Sequence, residues 1–165
     1  MILVSGCLLG INCKYNGGNN KCEKLLDILD KYGFIPVCPE QLGGMTTPRK
    51  PNEIIIKDEV DQGTDCIRVA DKEGKDNTKH FLRGAVETLN MAKKFNIKYA
   101  ILKERSPSCG SNFIYDGTFT GKVVKGMGVT AKMLSDNGIK VYSEDQIDEF
   151  IQDIEKSKID KIHSS

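Results

Sequence analysis

The chain has 165 residues, 39% hydrophobic and 28% charged, and its 24 Lys and Arg nearly balance 23 Asp and Glu for a net charge of +1. That length suits one domain with a proper core and makes a disulfide-dependent miniprotein unnecessary. The balanced charge excludes a highly charged disordered chain and any strong global pull on nucleic acid, and no apolar run nears the ~20 residues of a membrane span.

Residues 2–5 are a short apolar run, a predicted strand that ends at Gly6-Cys7. Val4-Ser5-Gly6-Cys7 is similar to a lipid-attachment box, but only six residues precede Cys7. A signal peptide needs about 15–30, so the sequence predicts a soluble cytoplasmic protein whose cysteines stay reduced. Residues 20–32 set Leu25, Leu26, Ile28 and Leu29 at helical spacing before Gly33, a stop signal. A second buried strand over 34–37 is halted by Cys38-Pro39, and 41–52 is too rich in Gly, Pro and Thr for regular structure. That segment is expected to be a functional loop.

The β-prone runs 54–56 and 66–70, with the turn signal Asp71-Lys72-Glu73-Gly74, predict a hairpin or edge excursion. Thr78 is placed to cap a helix over 79–95, where Phe81, Leu82, Ala85, Val86, Leu89, Ala92 and Phe95 recur at the 3.6-residue period. A third strand follows at 99–102, then a second long loop over 105–128 with a short strand near Val123. Residues 129–136 read as a helix stopped by Asn137-Gly138, and 139–142 as a fourth strand. Ser143 caps a last helix through Ile147, Phe150, Ile151 and Ile154, and the tail 156–165 is expected to fray. Strands alternating with helices predict an α/β fold. The expected form is a three-layer Rossmann-like domain over 1–155 with a mainly parallel sheet of four to five strands.

Ligands of such sheets gather at the carboxyl ends of the strands. Cys7, Cys38 and Cys109 each lie at or just past a predicted strand end, so the three thiols should meet on one edge of the sheet. Converging thiolates without a fourth obvious partner suit a soft metal centre with an open position, an iron–sulfur cluster or zinc. Buried apolar cysteines would have the same dispersed spacing. Cys13, in a polar loop, is a reserve ligand or incidental. Cys22 falls in a helix's first turn, and Cys66 in a β-prone run suits packing.

Glu40, Lys103, Glu104, Arg105, Ser106, Ser108 and Asp116 stand beside these thiols in sequence. A carboxylate two residues after a ligand can serve as general base, which makes Glu40 the first choice. Ser106 and Ser108 could bond substrate or cluster sulfur, or simply form turns around Pro107. The histidines, His80 and His163, form no triad and are expected at the surface. Gly43-Gly44 with Arg49 and Lys50 could be a lid for an anionic group or a solvated loop. Gly126-Met127-Gly128-Val129-Thr130-Ala131 matches the dinucleotide fingerprint and precedes Glu144 at nearly the expected distance. The short strand and short helix around it favour loop closure or anion contact over a nucleotide site.

Four segments together carry a resemblance. They are Ser5-Gly6-Cys7-Leu8-Leu9-Gly10 with Tyr15-Asn16-Gly17, Cys38-Pro39-Glu40-Gln41-Leu42-Gly43-Gly44 with Thr47-Pro48-Arg49, Lys103-Glu104-Arg105-Ser106-Pro107-Ser108-Cys109-Gly110, and Tyr115-Asp116-Gly117-Thr118-Phe119-Thr120-Gly121. In order and over nearly the whole chain, they resemble a bacterial domain-of-unknown-function family containing the thiouracil desulfidases. The resemblance implies an oxygen-sensitive [4Fe–4S] cluster held by Cys7, Cys38 and Cys109, with one iron free of protein ligands. It further implies that this iron binds the sulfur of a small thiolated nucleobase or nucleotide-like substrate while a carboxylate activates water, releasing sulfide without net redox change. Glu40 as base, with Ser106 or Ser108 in support, is assigned by position. Asn16 departs from the family's usual Asp, and a chain of this length is expected to be the minimal cluster domain. Two other functions compete: a non-catalytic nucleotide- or anion-binding module built on residues 126–131, and a zinc-stabilised or thiol redox-sensing domain.

Overall fold

A computed structural model describes residues 1–56 and 67–163. Four parallel strands make the central sheet: β1 (Ile2–Ser5), β2 (Phe34–Val37), β5 (Tyr99–Leu102) and β8 (Lys140–Ser143), in the order β2-β1-β5-β8. β1 is central and every one of its residues is buried, which is why it reads as a continuous apolar run rather than an alternating one. Leu3 pairs with Ile35 on one side and Ala100 on the other, and Ile101 pairs with Tyr142.

The pleat sends alternate residues to opposite faces. Leu3, Val37, Ala100 and Leu102 meet Ala92 of α3 (Thr78–Lys94) and Ala131 and Leu134 of α4 (Val129–Asp136). Ile2, Val4, Ile101 and Tyr142 meet Leu25 and Leu29 of α1 (Glu23–Leu29) and Ile147 and Phe150 of α5 (Ile147–His163). The result is the expected three-layer α/β arrangement. Two antiparallel ribbons complete it, β3 (Asn52–Ile54) with β4 (Val69–Asp71) and β6 (Phe113–Tyr115) with β7 (Val123–Lys125). Ile54, Val69 and Ile114 from these ribbons form a third apolar cluster with Phe81 and Ala85 of α3.

Several expectations need adjustment. Residues 41–52 are not wholly irregular, because α2 (Pro39–Leu42) occupies their start with proline in its first turn. Cys22 is the residue before α1 rather than within it, and Asn77, not Thr78, precedes α3. The apolar stripe of α3 is narrower than its periodicity suggests: Phe81, Ala85 and Ala92 are buried, while Leu82, Val86 and Phe95 are 42%, 44% and 50% exposed. Residues 156–163 belong to α5, and the Ser157 hydroxyl lies 2.9 Å from the Tyr99 hydroxyl, tying this part of the helix to the sheet. Cys66 lies outside the described residues.

Gly43 and Gly84 fix where α2 sits. A Cβ on Gly84 would fall 1.9 Å from the Pro39 carbonyl oxygen, and one on Gly43 2.0 Å from that of His80. Backbone therefore rests on backbone where α2 crosses α3. The His80 ring adds a 2.9 Å contact from Nδ1 to the Gly43 carbonyl, so this histidine, expected to be a bland surface residue, helps hold the crossing.

Candidate functional site

The strand order reverses direction between β1 and β5: the chain steps from β1 to β2 on one side, then crosses to β5 on the other. In parallel α/β sheets the crevice at such a switch, beyond the strand carboxyl ends, is where ligands bind. A cleft of about 580 Å³ opens there.

Each wall comes from a turn that follows a strand. After β1 the chain enters a 3₁₀ turn, Gly6–Leu9, which places Cys7, and Gly10 ends it at φ 87. After β2, Cys38 immediately precedes α2 and Glu40 lies in that helix's first turn. After β5, the loop from Lys103 to Cys109 is tied to β1 through the Lys103 amide, which donates to the Ser5 hydroxyl at 2.9 Å. Cys7, Cys38 and Cys109 all line the cleft, so the convergence expected from strand ends is present.

A fourth thiol joins them. Cys13, which the sequence leaves undecided, is 3% exposed and lines the same cleft, and its carbonyl accepts from the Cys38 thiol at 3.6 Å. The Cys13 side chain draws the Cys7 pKa down to about 7 against the opposing effect of burial, with further help from Asn20 and Lys103. Cys38 is lowered as well, first by Cys13 and also by the Gln41 amide and Arg49. Cys13 itself is pushed up by its neighbours Cys38 and Cys7, and full burial pushes Cys109 up against the opposing effect of the Ser5 hydroxyl. Two of the thiols are thus held towards the thiolate, the form that binds soft metals. Among the described residues, no group of three His, Cys, Asp or Glu is gathered as the ligands of one metal ion would be.

Glu40 is 9% exposed, and its Oε2 lies 3.5 Å from the Cys38 sulfur and 3.9 Å from Arg49 Nη2. Arg49 is not a solvated lid residue: its Nη2 donates to the Cys13 carbonyl at 3.1 Å and its Nη1 to the Thr47 hydroxyl at 3.1 Å. The same guanidinium stands 3.9 Å from the Cys38 sulfur. One buried cation therefore serves both the carboxylate and the thiol.

Glu104 has a different task. It is 4% exposed and accepts from the backbone amides of Ser111 at 2.9 Å and of Arg105, Asn112 and Phe113 at 3.2 Å, and from Asn112 Nδ2 at 2.8 Å. Burial raises its pKa, but these donors outweigh that and leave it below the usual carboxylate range. Its own amide donates to Glu144 Oε2 at 2.7 Å, and Lys103 Nζ pairs with Glu144 Oε1. Glu104 and Glu144 thereby fold the loop that presents Cys109.

Ser106 lines the cleft, and its Oγ accepts from the amides of Ser108 at 3.1 Å and Cys109 at 3.0 Å. Ser108 is fully buried, turned to the Thr130 hydroxyl at 2.9 Å, and is not among the cleft residues. Asp116 closes its own turn, accepting from the Thr118 amide at 3.0 Å. Asn16 does likewise with Gly18 at 3.0 Å, a role an Asp would fill equally, so the departure at that position leaves the loop intact.

The dinucleotide-like segment is occupied by its own neighbours. The amides of Val129, Thr130 and Ala131 donate to the carbonyls of Pro107 and Ser108 at 2.9–3.1 Å, leaving none of these three for a phosphate. A Cβ on Gly128 would lie 2.4 Å from the Ser108 carbonyl carbon, so the glycine serves close packing of α4 on the cysteine loop. Glu53 had no signal in the sequence, since a polar residue in a short strand is ordinary. It is buried, lines the cleft, and accepts from the Gly117 and Phe119 amides at 2.9 and 3.0 Å.

Fold and site together define a three-layer parallel α/β protein with a cleft suited to thiolate chemistry at its switch point. The chain belongs to the 2-thiouracil desulfurase family, whose model matches residues 2–146. It is 45% identical over 151 residues to the uncharacterized protein YbbK of Bacillus subtilis strain 168, covering 92% of this chain and all of that one. Among solved structures, a [4Fe-4S]-dependent thiouracil desulfidase, TudS (DUF523Vcz), superposes with a TM-score of 0.81 at 40% identity, covering 93% of this chain and 97% of that one.

Proposed function

We propose that this protein is a [4Fe–4S]-dependent desulfidase that converts a small thiocarbonyl compound, 2-thiouracil or a thiolated nucleobase or nucleotide like it, to the carbonyl form. Thiocarbonyl plus water gives carbonyl plus hydrogen sulfide, so electrons balance without an oxidant or reductant. The observation that carries the reading is the meeting of three strand-end thiols with the buried Glu40–Arg49 pair on one cleft.

The donor set fits the cluster. Thiolates are its usual ligands, and a cluster spans several atoms, which suits thiols that are not gathered as around a single ion. Cys7, Cys38 and Cys109 are the ligands in this reading, each from a different strand end. When bound, the cluster supplies a Lewis-acidic iron for the thiocarbonyl sulfur.

The remaining work belongs to side chains. Glu40, screened from bulk water and held by Arg49, accepts a proton from the attacking water at its carboxylate. Ser106 holds the Cys109 amide and so fixes that ligand, and Ser108 anchors the same loop to α4 rather than facing substrate. Free thiols and a cluster sensitive to oxygen go with a cytoplasmic location; no helix among the described residues is long and apolar enough to cross a membrane.

The test is sulfide release from 2-thiouracil by anaerobically prepared protein, beside a Glu40→Gln variant. The expected result is turnover in the wild type and a loss of about 10²–10⁴-fold in the variant with iron content unchanged. Equal turnover in the variant would remove Glu40 from the mechanism, and no sulfide release from iron-loaded wild type would remove the function.

A further inference from the structure

Phe119 has a φ of 57°, in the left-handed region that a bulky side chain rarely enters. Such a conformation persists only where neighbours enforce it, and it points to a function for the residue so held. Here the enforcing group is Glu53 on β3, whose single Oε2 receives both the Gly117 amide at 2.9 Å and the Phe119 amide at 3.0 Å. Gly117 brings the loop against that strand, since a Cβ there would lie 2.7 Å from the Ile54 carbonyl oxygen. Asp116 completes the turn by accepting from the Thr118 amide and hydroxyl.

This loop brings no thiol and no cleft carboxylate of its own to the site. What residues 116–121 contribute to the cleft is Phe119 and Gly121. Of the other aromatic residues lining it, Phe81 is a core side chain at 2% exposure, and Tyr15 has the Lys14 ammonium 5.5 Å over its ring. Tyr115 sits on the regular strand β6, where its backbone carries no comparable cost. Phe119 is half-buried, and a glycine would take its backbone conformation more easily.

Resting on the desulfidase reading, we propose that Phe119 is a specificity-determining residue. Its ring is the stacking face for the flat heteroaromatic ring of the substrate, and Glu53 is the residue that positions it. Aromatic side chains hold bases through their π faces, and removal of one such stack weakens binding by roughly five- to 150-fold.

The experiment is steady-state kinetics on 2-thiouracil with iron-loaded, anaerobic wild type, Phe119→Ala, Phe119→Gly, Phe119→Tyr and Glu53→Ala. We expect Phe119→Ala to raise KM about tenfold with kcat within about threefold, as a lost stack should. Phe119→Gly should show the same KM loss although its backbone is relieved, with no drop in melting temperature, while Phe119→Tyr recovers most of the loss. Glu53→Ala should follow Phe119→Ala in KM. An unchanged KM in Phe119→Ala and Phe119→Gly, a loss confined to kcat, or no recovery by Tyr overturns the proposal. If loaded wild type releases no sulfide, the desulfidase reading has failed, and the stack is read instead by titrating 2-thiouracil onto the same proteins. Binding about tenfold weaker in Phe119→Ala then supports it, and equal binding, or none to the wild type, overturns it.

Discussion

Glu104 and Glu40 are both buried acids beside a cysteine loop, yet their partners give them opposite uses. Glu40 contacts a thiol and a guanidinium in the cleft, while Glu104 is saturated by backbone amides and so stabilises a loop. The Glu104 carboxyl is held below its ordinary value, so its contribution to stability is fully present above the unfolded carboxyl value of about 4.3 and is lost as pH falls from there through the lower folded value. Glu104→Gln should therefore melt lower than wild type at pH 7, and the difference should shrink at pH values below about 4. Melting curves across that range check this, and a difference independent of pH would show that the carboxylate charge is not what the loop amides hold. Cys13 carries a further lesson at this scale. It stands in sequence as a lone cysteine in a polar loop, and only the return of that loop beneath Arg49, through the Cys13 carbonyl, brings it to the cleft that Cys7 and Cys38 line.

At the scale of elements, what was legible followed the strength of local periodicity. The strand at 99–102 and the helix at 129–136 stand where the sequence puts them, because each is a short apolar pattern bounded by clear stop signals. The width of the α3 stripe was not legible, since Leu82 and Val86 lie outside the arc that the sheet covers. The pairing of β6 with β7 was missed at its first strand, whose Phe113 is 41% exposed and whose Ile114 alone is buried. The α2–α3 crossing depends on two glycines far apart in sequence, and Gly84 inside a helix reads only as a weak propensity. Gly84→Ala should force the helices apart, costing about 1–3 kcal/mol, and should shift Cys38 and Glu40 together. A lower melting temperature accompanied by reduced iron uptake is expected; unchanged values of both would mean that α2 relaxes without disturbing the site.

For the whole molecule, three thiols separated by dozens of residues meet because the sheet is parallel and their strands end on one edge. That convergence was readable from the chain, as each cysteine follows an apolar run and sits beside Gly or Pro. The order β2-β1-β5-β8 was not readable, because nothing local says which side of β1 receives β5. Nor could the separate tertiary contacts of Arg49, Glu53 and Glu144 be foreseen, for no local pattern tells that Arg49 meets Glu40, that Glu53 meets the 117–119 amides or that Glu144 meets Lys103. The central claim is that Cys7, Cys38 and Cys109 hold a four-iron cluster. It is tested most directly by iron and acid-labile sulfide analysis of anaerobically reconstituted wild type and of Cys7→Ser, Cys38→Ser and Cys109→Ser. The account predicts about four irons and four sulfides per chain in the wild type and loss of the cluster in each variant. Stoichiometric zinc in place of iron, or a full cluster retained without any one of the three thiols, would contradict it.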